Sequence, residues 1–196
     1  MIVLAIDTDS RGAMAMLDTR RLMLDVFATP TEKIKMASGK SQLQMNLPVL
    51  AAILHDLTSH ADVAWLEKQW ARPNQGVTST FGFGKTYGEY RGIVTFGFLE
   101  KECSPLPQLQ ERVHLVSGAE WKGKMRLTKD KKEARALATQ LFPECASAWK
   151  SKDSSAEASL LAFYGASMLG EKIPFGAKIK PSIVRYTAHA ESLIKR

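Results

Sequence analysis

The sequence predicts a single α/β domain, and three observations carry that expectation. Short apolar, β-prone runs alternate with longer stretches in which apolar residues recur every three or four positions, the signatures of strands and amphipathic helices. The length, 196 residues, suits one core with an extension rather than two full domains. With 45% hydrophobic and 24% charged residues the chain has enough apolar material for a sizeable core, which excludes wholesale disorder.

Taken in order, Met1 to Ile6 reads as a strand that ends in Asp7, because Thr8, Asp9, Ser10, Arg11 and Gly12 are turn formers. Ala13 to Leu17 and Leu22 to Ala28 follow as two further strands around the polar break Asp18 to Arg21, a meander that Thr29-Pro30 closes. From Gln42 to His60, Leu43, Leu47, Leu50, Ile53, Leu54 and Leu57 lie at spacings of three and four and predict a helix, with Pro48 suited to its first turn. Val63 to Leu66 is a fourth strand and ends in Glu67. Gln69 to Thr80 has no period and contains Pro73 and Gly76, so it predicts a loop. Phe81 to Glu102 predicts a glycine-rich helix, Val113 to Val116 a fifth strand, and Asp130 to Phe142 a helix stopped by Pro143. Asp153 to Leu169 has the clearest helical pattern, with Gly170 as its stop. These elements form a domain over residues 1–170. Residues 171–196, with six basic and two acidic side chains, are expected to be a basic C-terminal extension with a short helix near Ala188 to Ile194.

Composition narrows the function. No apolar run approaches the roughly 20 residues of a bilayer crossing, and the opening MIVLAID lacks the basic region and cleavage site of a secretion signal, so the expectation is no membrane partner. Cys103 and Cys145 are too few for a disulfide framework and are expected to be inert core thiols. Four histidines at 55, 60, 114 and 189 form no ligand spacing, and nothing calls for an organic cofactor. Net charge is +7, and it lies wholly in the second half, since residues 1–100 carry ten Lys/Arg and ten Asp/Glu. Lys122, Lys124, Arg126, Lys129, Lys131, Lys132 and Arg135 crowd one segment against Asp130 and Glu133. Such a run is either a solvated face or the seat of a polyanionic partner.

Two strands thus deliver a carboxylate each, Asp7 and Glu67, to the C-terminal edge, where ligands gather in α/β sheets. Asp153 and Glu157 are four apart, so a helix places both on one face. Converging carboxylates repel one another unless cations neutralise them, and hard oxygen donors suit Mg²⁺ or Mn²⁺. Two such ions can drive phosphodiester hydrolysis. Each residue alone also has a plain reading: Asp153 as helix N-cap, Glu157 as a partner of the helix dipole, Asp9 as a turn cap.

Four segments in this order carry a resemblance: AIDTDSRGAMAML, AWLEKQ, SGAEWKGKM followed by DKKEARALATQLFP, and KDSSAEASLLAFYG. Over residues 2–170 the chain resembles the RuvC-like Holliday-junction resolvases of the ribonuclease H-like superfamily, most of all the plant organellar, monokaryotic-chloroplast branch. The resemblance implies a mixed five-stranded sheet with helices on both faces and two divalent ions, Mg²⁺ or Mn²⁺, held by Asp7, Glu67, Asp153 and Glu157. It also implies Lys122 near the scissile phosphate, four-way junction DNA as substrate, a homodimer, and a chloroplast nucleoid as compartment. The chain opens without a transit peptide, which leaves a bacterial or phage cytoplasm as the other expectation.

The branch usually has Pro where Thr8 stands, and Gly-Lys-Gln-Gly plus an aromatic after its Glu strand. Here Gln75 and Gly76 match and Val77 replaces the aromatic. By resemblance this loop contacts bases at the branch point. Trp70, Phe81, Phe83 and Tyr87 are open to two roles, stacking on unpaired bases or helix packing. Lys124, Lys131, Lys132 and Arg135 are the candidate phosphate contacts. The glycine-rich helix 81–102 is more apolar than one core face requires, through Tyr87, Ile93, Val94, Phe96, Phe98 and Leu99, and is the candidate dimer interface. A ribonuclease acting on RNA/DNA hybrid and a junction-binding protein without catalysis remain alternatives. An ATP-handling protein of the actin and sugar-kinase type also reads Asp then Gly at its first turn, but needs two such lobes.

Overall fold

A computed structural model describes residues 1–35, 39–71, 74–102, 111–149, 153–174 and 178–181. Cys103, Pro73, Lys152 and the expected helix near Ala188 to Ile194 lie outside the described residues.

The opening meander forms as expected. Strands β1 (Ile2–Ile6), β2 (Ala13–Asp18) and β3 (Met23–Ala28) pair antiparallel in sequence. The polar break between β2 and β3 becomes a turn because Asp18 Oδ1 accepts from the backbone N–H groups of Arg20 (2.9 Å) and Arg21 (3.0 Å). Strand β6 (Val63–Lys68) lies parallel to β1 on its other side, and β7 (Val113–Ser117) parallel to β6. A two-residue strand, β8 (Lys180–Pro181), adds to β3, so the sheet has six strands in the order β7-β6-β1-β2-β3-β8 where five were expected. The sixth comes from beyond residue 170, and Ile179 beside it is buried in the core.

Helices cover both faces. α1 (Leu47–His60) and α2 (Val77–Glu102) pack on one, burying Leu50, Leu54, Leu57, Tyr90, Val94 and Phe98 against Leu4, Ile6 and Met14. On the other lie α4 (Lys131–Leu141) and α5 (Asp153–Met168), over Val3, Ala5, Ala15 and Trp65. Asp130 caps α4 by accepting from the Lys132 N–H at 2.8 Å. No described helix is long and apolar enough to cross a membrane.

Two boundary expectations needed correction, and one helix had no counterpart in the sequence reading. Residues 42–45 are not the start of a helix: β4 (Thr31–Lys35) and β5 (Ser41–Met45) form a separate two-stranded hairpin. The helix begins at Leu47, where Asn46 Oδ1 accepts from Val49 N–H at 3.2 Å and Pro48 occupies the first turn, so Leu43 is an exposed strand residue. A short helix, α3 (Gly118–Lys124), follows β7 directly, capped by Ser117. At the other boundary, α2 starts at Val77 and absorbs four residues assigned to the loop.

Candidate active site at the C-terminal edge of the sheet

Pairing of β1 with β6 sets Ile6 opposite Leu66, so Asp7 and Glu67 follow level at adjacent strand ends. Side chains alternate along a strand. Leu4 and Ile6 enter the α1/α2 layer while Val3 and Ala5 enter the α4/α5 layer, and Asp7, one residue on, falls on the α5 side. The turn after β1 is tight: Asp7 N–H donates to Ala13 O (3.0 Å), and Gly12 N–H to Asp9 O (2.9 Å). A Cβ at position 12 would overlap the Asp7 carbonyl oxygen, so only glycine lets the chain reverse here.

Glu67 is positioned by groups distant in sequence. Its Oε2 accepts from Trp121 Nε1 at 2.9 Å, and Trp121 is fully buried in α3. Its backbone oxygen accepts from Thr8 Oγ1 at 2.7 Å. Gly118 passes so close that a Cβ there would lie 2.7 Å from Glu67 Oε1.

α5 supplies the third carboxylate. Its all-round burial presses Glu157 against the strand ends, where Lys122 Nζ of α3 pairs with Glu157 Oε1 at 3.0 Å. Asp153, one turn earlier, instead pairs with Arg135 of α4. The cluster is electrostatically tense. Burial, then the negative charges of Glu67, Glu157 and Asp9, push the Asp7 carboxyl up to about 8, with only the Asp9 N–H (3.3 Å to Oδ1) pulling it down. Behind the edge, Tyr90 of α2 shares a buried 2.6 Å hydrogen bond with Thr29, and burial raises its hydroxyl well above the ordinary tyrosine value.

Of the residues singled out from sequence, Asp7, Glu67, Glu157 and Lys122 come together, and Asp153 sits one helical turn away with Arg135. Trp70 is 65% exposed just past β6, with Lys68 Nζ 5.9 Å from its ring centroid. Gln75 Nε2 donates to Ser79 Oγ at 3.2 Å, and Gly76 faces open space. Lys124, Lys131 and Lys132 are exposed. Sequence reasoning missed the supports: Trp121, Gly118, Gly12 and the Thr29–Tyr90 pair. Gly12 had a local signal, a glycine closing a turn after a strand-end Asp; the others depend on long-range contacts.

Among the described residues no three His, Cys, Asp or Glu side chains form a ready-made metal cage. The donor chemistry nevertheless fits a hard dication. A nine-tenths-buried carboxyl facing two further carboxylates is destabilised in its charged form, and a cation relieves that.

These features define a mixed α/β sheet protein with an acidic cluster at the C-terminal edge of its central strands. A solved structure similar to this chain is that of RuvC from Thermus thermophilus, at 12% identity and a TM-score of 0.48, over 89% of this chain and 99% of that one. No family model and no curated protein matches the sequence.

Proposed function

We propose that the protein is a metal-dependent endonuclease that resolves four-way DNA junctions by paired phosphodiester cuts, a RuvC-like resolvase of the plant organellar type. The observation that carries this reading is the carboxylate trio of buried Asp7 and Glu157 with half-buried Glu67, beside Lys122, on an edge flanked by the exposed basic residues of α3 and α4. Asp7, Glu67 and Glu157, joined by Asp153, would hold Mg²⁺ or Mn²⁺, which when bound supplies Lewis acidity and an activated water.

The chain's own groups do the rest. Burial of Asp7 keeps bulk water from the strand ends, and Trp121 fixes the orientation of the Glu67 carboxylate. Lys122, released from Glu157, offsets negative charge developing on the phosphate. Lys124, Lys131 and Lys132 bind the backbone without reading sequence. Trp70 and the Gln75-Gly76 loop lie beyond β6 on the same edge, where an unpaired branch point would meet them.

A junction is two-fold symmetric, so one site per subunit of a symmetric dimer makes both cuts. The outer face of α2 suits that role: Phe81 (72% exposed), Phe96 (59%) and Leu99 flank Gly88 and Gly92, which have open space above them. Val94 and Phe98, counted with this surface on sequence, are buried in the core instead.

The test incubates labelled four-way junction, linear duplex and RNA/DNA hybrid with and without Mg²⁺ or Mn²⁺. Paired, metal-dependent nicking of the junction alone is expected. Cutting of the hybrid alone identifies a ribonuclease, and binding without cutting a non-catalytic junction protein.

A further inference from the structure

The β4–β5 hairpin has almost no core of its own. All of its described residues except Met45 are exposed or half-buried, and two-stranded hairpins are marginal in water unless something else fixes them. Its base is nevertheless firmly seated. Asn46 N–H donates to Pro30 O at 2.9 Å, Met45 packs with Phe27 and Met14, and Thr29 is braced by Tyr90 of α2.

That base sits on the catalytic edge. β3 ends at Ala28 opposite Ala13, the residue whose carbonyl receives the Asp7 N–H, and Thr29 N–H donates to Gly12 O at 3.1 Å. The chain therefore leaves β3 beside the Asp7 turn and runs straight into the hairpin, whose five-residue strands reach roughly 17 Å outward.

Register sorts the charges. Thr31, Lys33 and Lys35 alternate onto one face with their partners Met45, Leu43 and Ser41, while Glu32 and Ile34 fall on the other with Gln44 and Gln42. Lys40 follows at the start of β5's approach. Residues 31–35 and 39–45 thus hold three lysines and one carboxylate, with the carboxylate on the face opposite Lys33 and Lys35. None of the three ammonium groups has an ion-pair partner among the described residues. Lys33 and Lys35 are two residues apart, about 7 Å, close to the axial rise of two steps on one DNA strand at about 3.4 Å per phosphate along the duplex axis.

We propose that the β4–β5 hairpin is a second nucleic-acid contact, an arm that lays Lys33, Lys35 and Lys40 along the phosphate backbone of a duplex segment next to the cleavage edge. This rests on the nuclease reading above and adds a surface that reading does not use. The competing role for the same lysines is to keep the hairpin's open edges from pairing with other chains.

The deciding experiment uses the full chain carrying Lys33→Gln, Lys35→Gln and Lys40→Gln together, with junctions whose arms are long or too short to reach the hairpin. On long arms the plot of log affinity against log salt is expected to flatten by about two to three ions, with affinity down about tenfold or more at moderate salt. On short arms the variant matches the parent, and its cutting rate at saturating protein and its melting midpoint stay at parent values. An unchanged salt slope on long arms, in a variant that melts like the parent, overturns the arm and leaves the lysines as edge guards. If the parent binds no nucleic acid, the nuclease reading falls and the arm with it; a parent that binds and cuts beside an unaltered variant removes the arm alone.

Discussion

Asp7→Asn should stabilise the metal-free protein, and by an amount that grows with pH. Burial and the neighbouring carboxylates push the folded carboxyl up to about 8 from an ordinary value of 3.8, so between those limits the native state retains a proton that the unfolded chain has released. Unfolding then releases protons, and stability falls as pH rises through this window, levelling off above the folded value. Each unit of difference is worth about 1.4 kcal/mol, so this one group costs the native state roughly 4 kcal/mol at pH 7 and less than 2 kcal/mol at pH 5. Asn keeps the shape and can still accept from the Asp9 N–H at Oδ1, yet carries no such cost. Urea denaturation in a chelating buffer at pH 5, 7 and 9 reads the difference directly. The variant should exceed the parent by roughly 4 kcal/mol at pH 7 and by somewhat more at pH 9, with the gap narrowing to less than about 2 kcal/mol at pH 5. Divalent metal should raise the parent's midpoint more than the variant's, because binding to the native state alone stabilises it. Parallel stability curves for the two proteins across this range would refute the account of a strained, desolvated Asp7.

Further outcomes follow from the same geometry. Gly118→Ala brings a methyl group within 2.7 Å of Glu67 Oε1, so cleavage should fall at least tenfold while junction binding persists; parental turnover would mean that Glu67 has no fixed role. Trp121→Phe keeps most of the buried ring but removes the donor to Glu67, a change expected to cost about 1 to 3 kcal/mol on thermal or chemical unfolding and to lower the cutting rate as well. Lys122→Ala should depress the cutting rate more than affinity, whereas Lys131→Ala and Lys132→Ala should each weaken binding and reduce its salt slope by about one ion; equal effects on binding alone would make Lys122 one more surface charge. Arg135→Gln frees Asp153, so half-maximal cleavage should need less metal even as junction affinity drops, which a metal titration at fixed DNA measures.

The parts of the fold visible in the sequence are those that bury one face. MIVLAI, AMAML and AWLE are apolar runs that stop at a charge or a turn, and that pattern is enough to place both strand ends and both carboxylates. The hairpin was illegible for the opposite reason. TEKIK and SQLQM bury only Met45, so no alternation marks a core face, and Leu43 falls by chance on the helical spacing of the leucines after it. Asn46 before Leu47-Pro48 was the better signal for the helix start, because a cap outweighs one misplaced apolar residue. The partners of the acidic residues lay out of reach altogether. Trp121 lies 54 positions from Glu67 and Lys122 35 positions from Glu157, separations at which only the folded sheet says which side chains meet.

Those partners also use part of the chain's uneven charge. The excess of positive charge in residues 101–196 has a double use, since Lys122 and Arg135 lie against the α5 carboxylates while Lys124, Lys131 and Lys132 face solvent. Burying Glu157 beside Asp7 without a counter-charge would add to the repulsion that already raises the Asp7 carboxyl, and Lys122 offsets it. A dication at the cluster would take over that neutralising role and set the two cations free. A phosphate is the natural next partner for them, because an unpaired ammonium or guanidinium beside a low-dielectric edge is itself unfavourable. Metal and nucleic acid would then bind with positive coupling, each removing the cost that the other meets alone, and the ion pairs Lys122–Glu157 and Arg135–Asp153 are the contacts whose exchange carries that coupling.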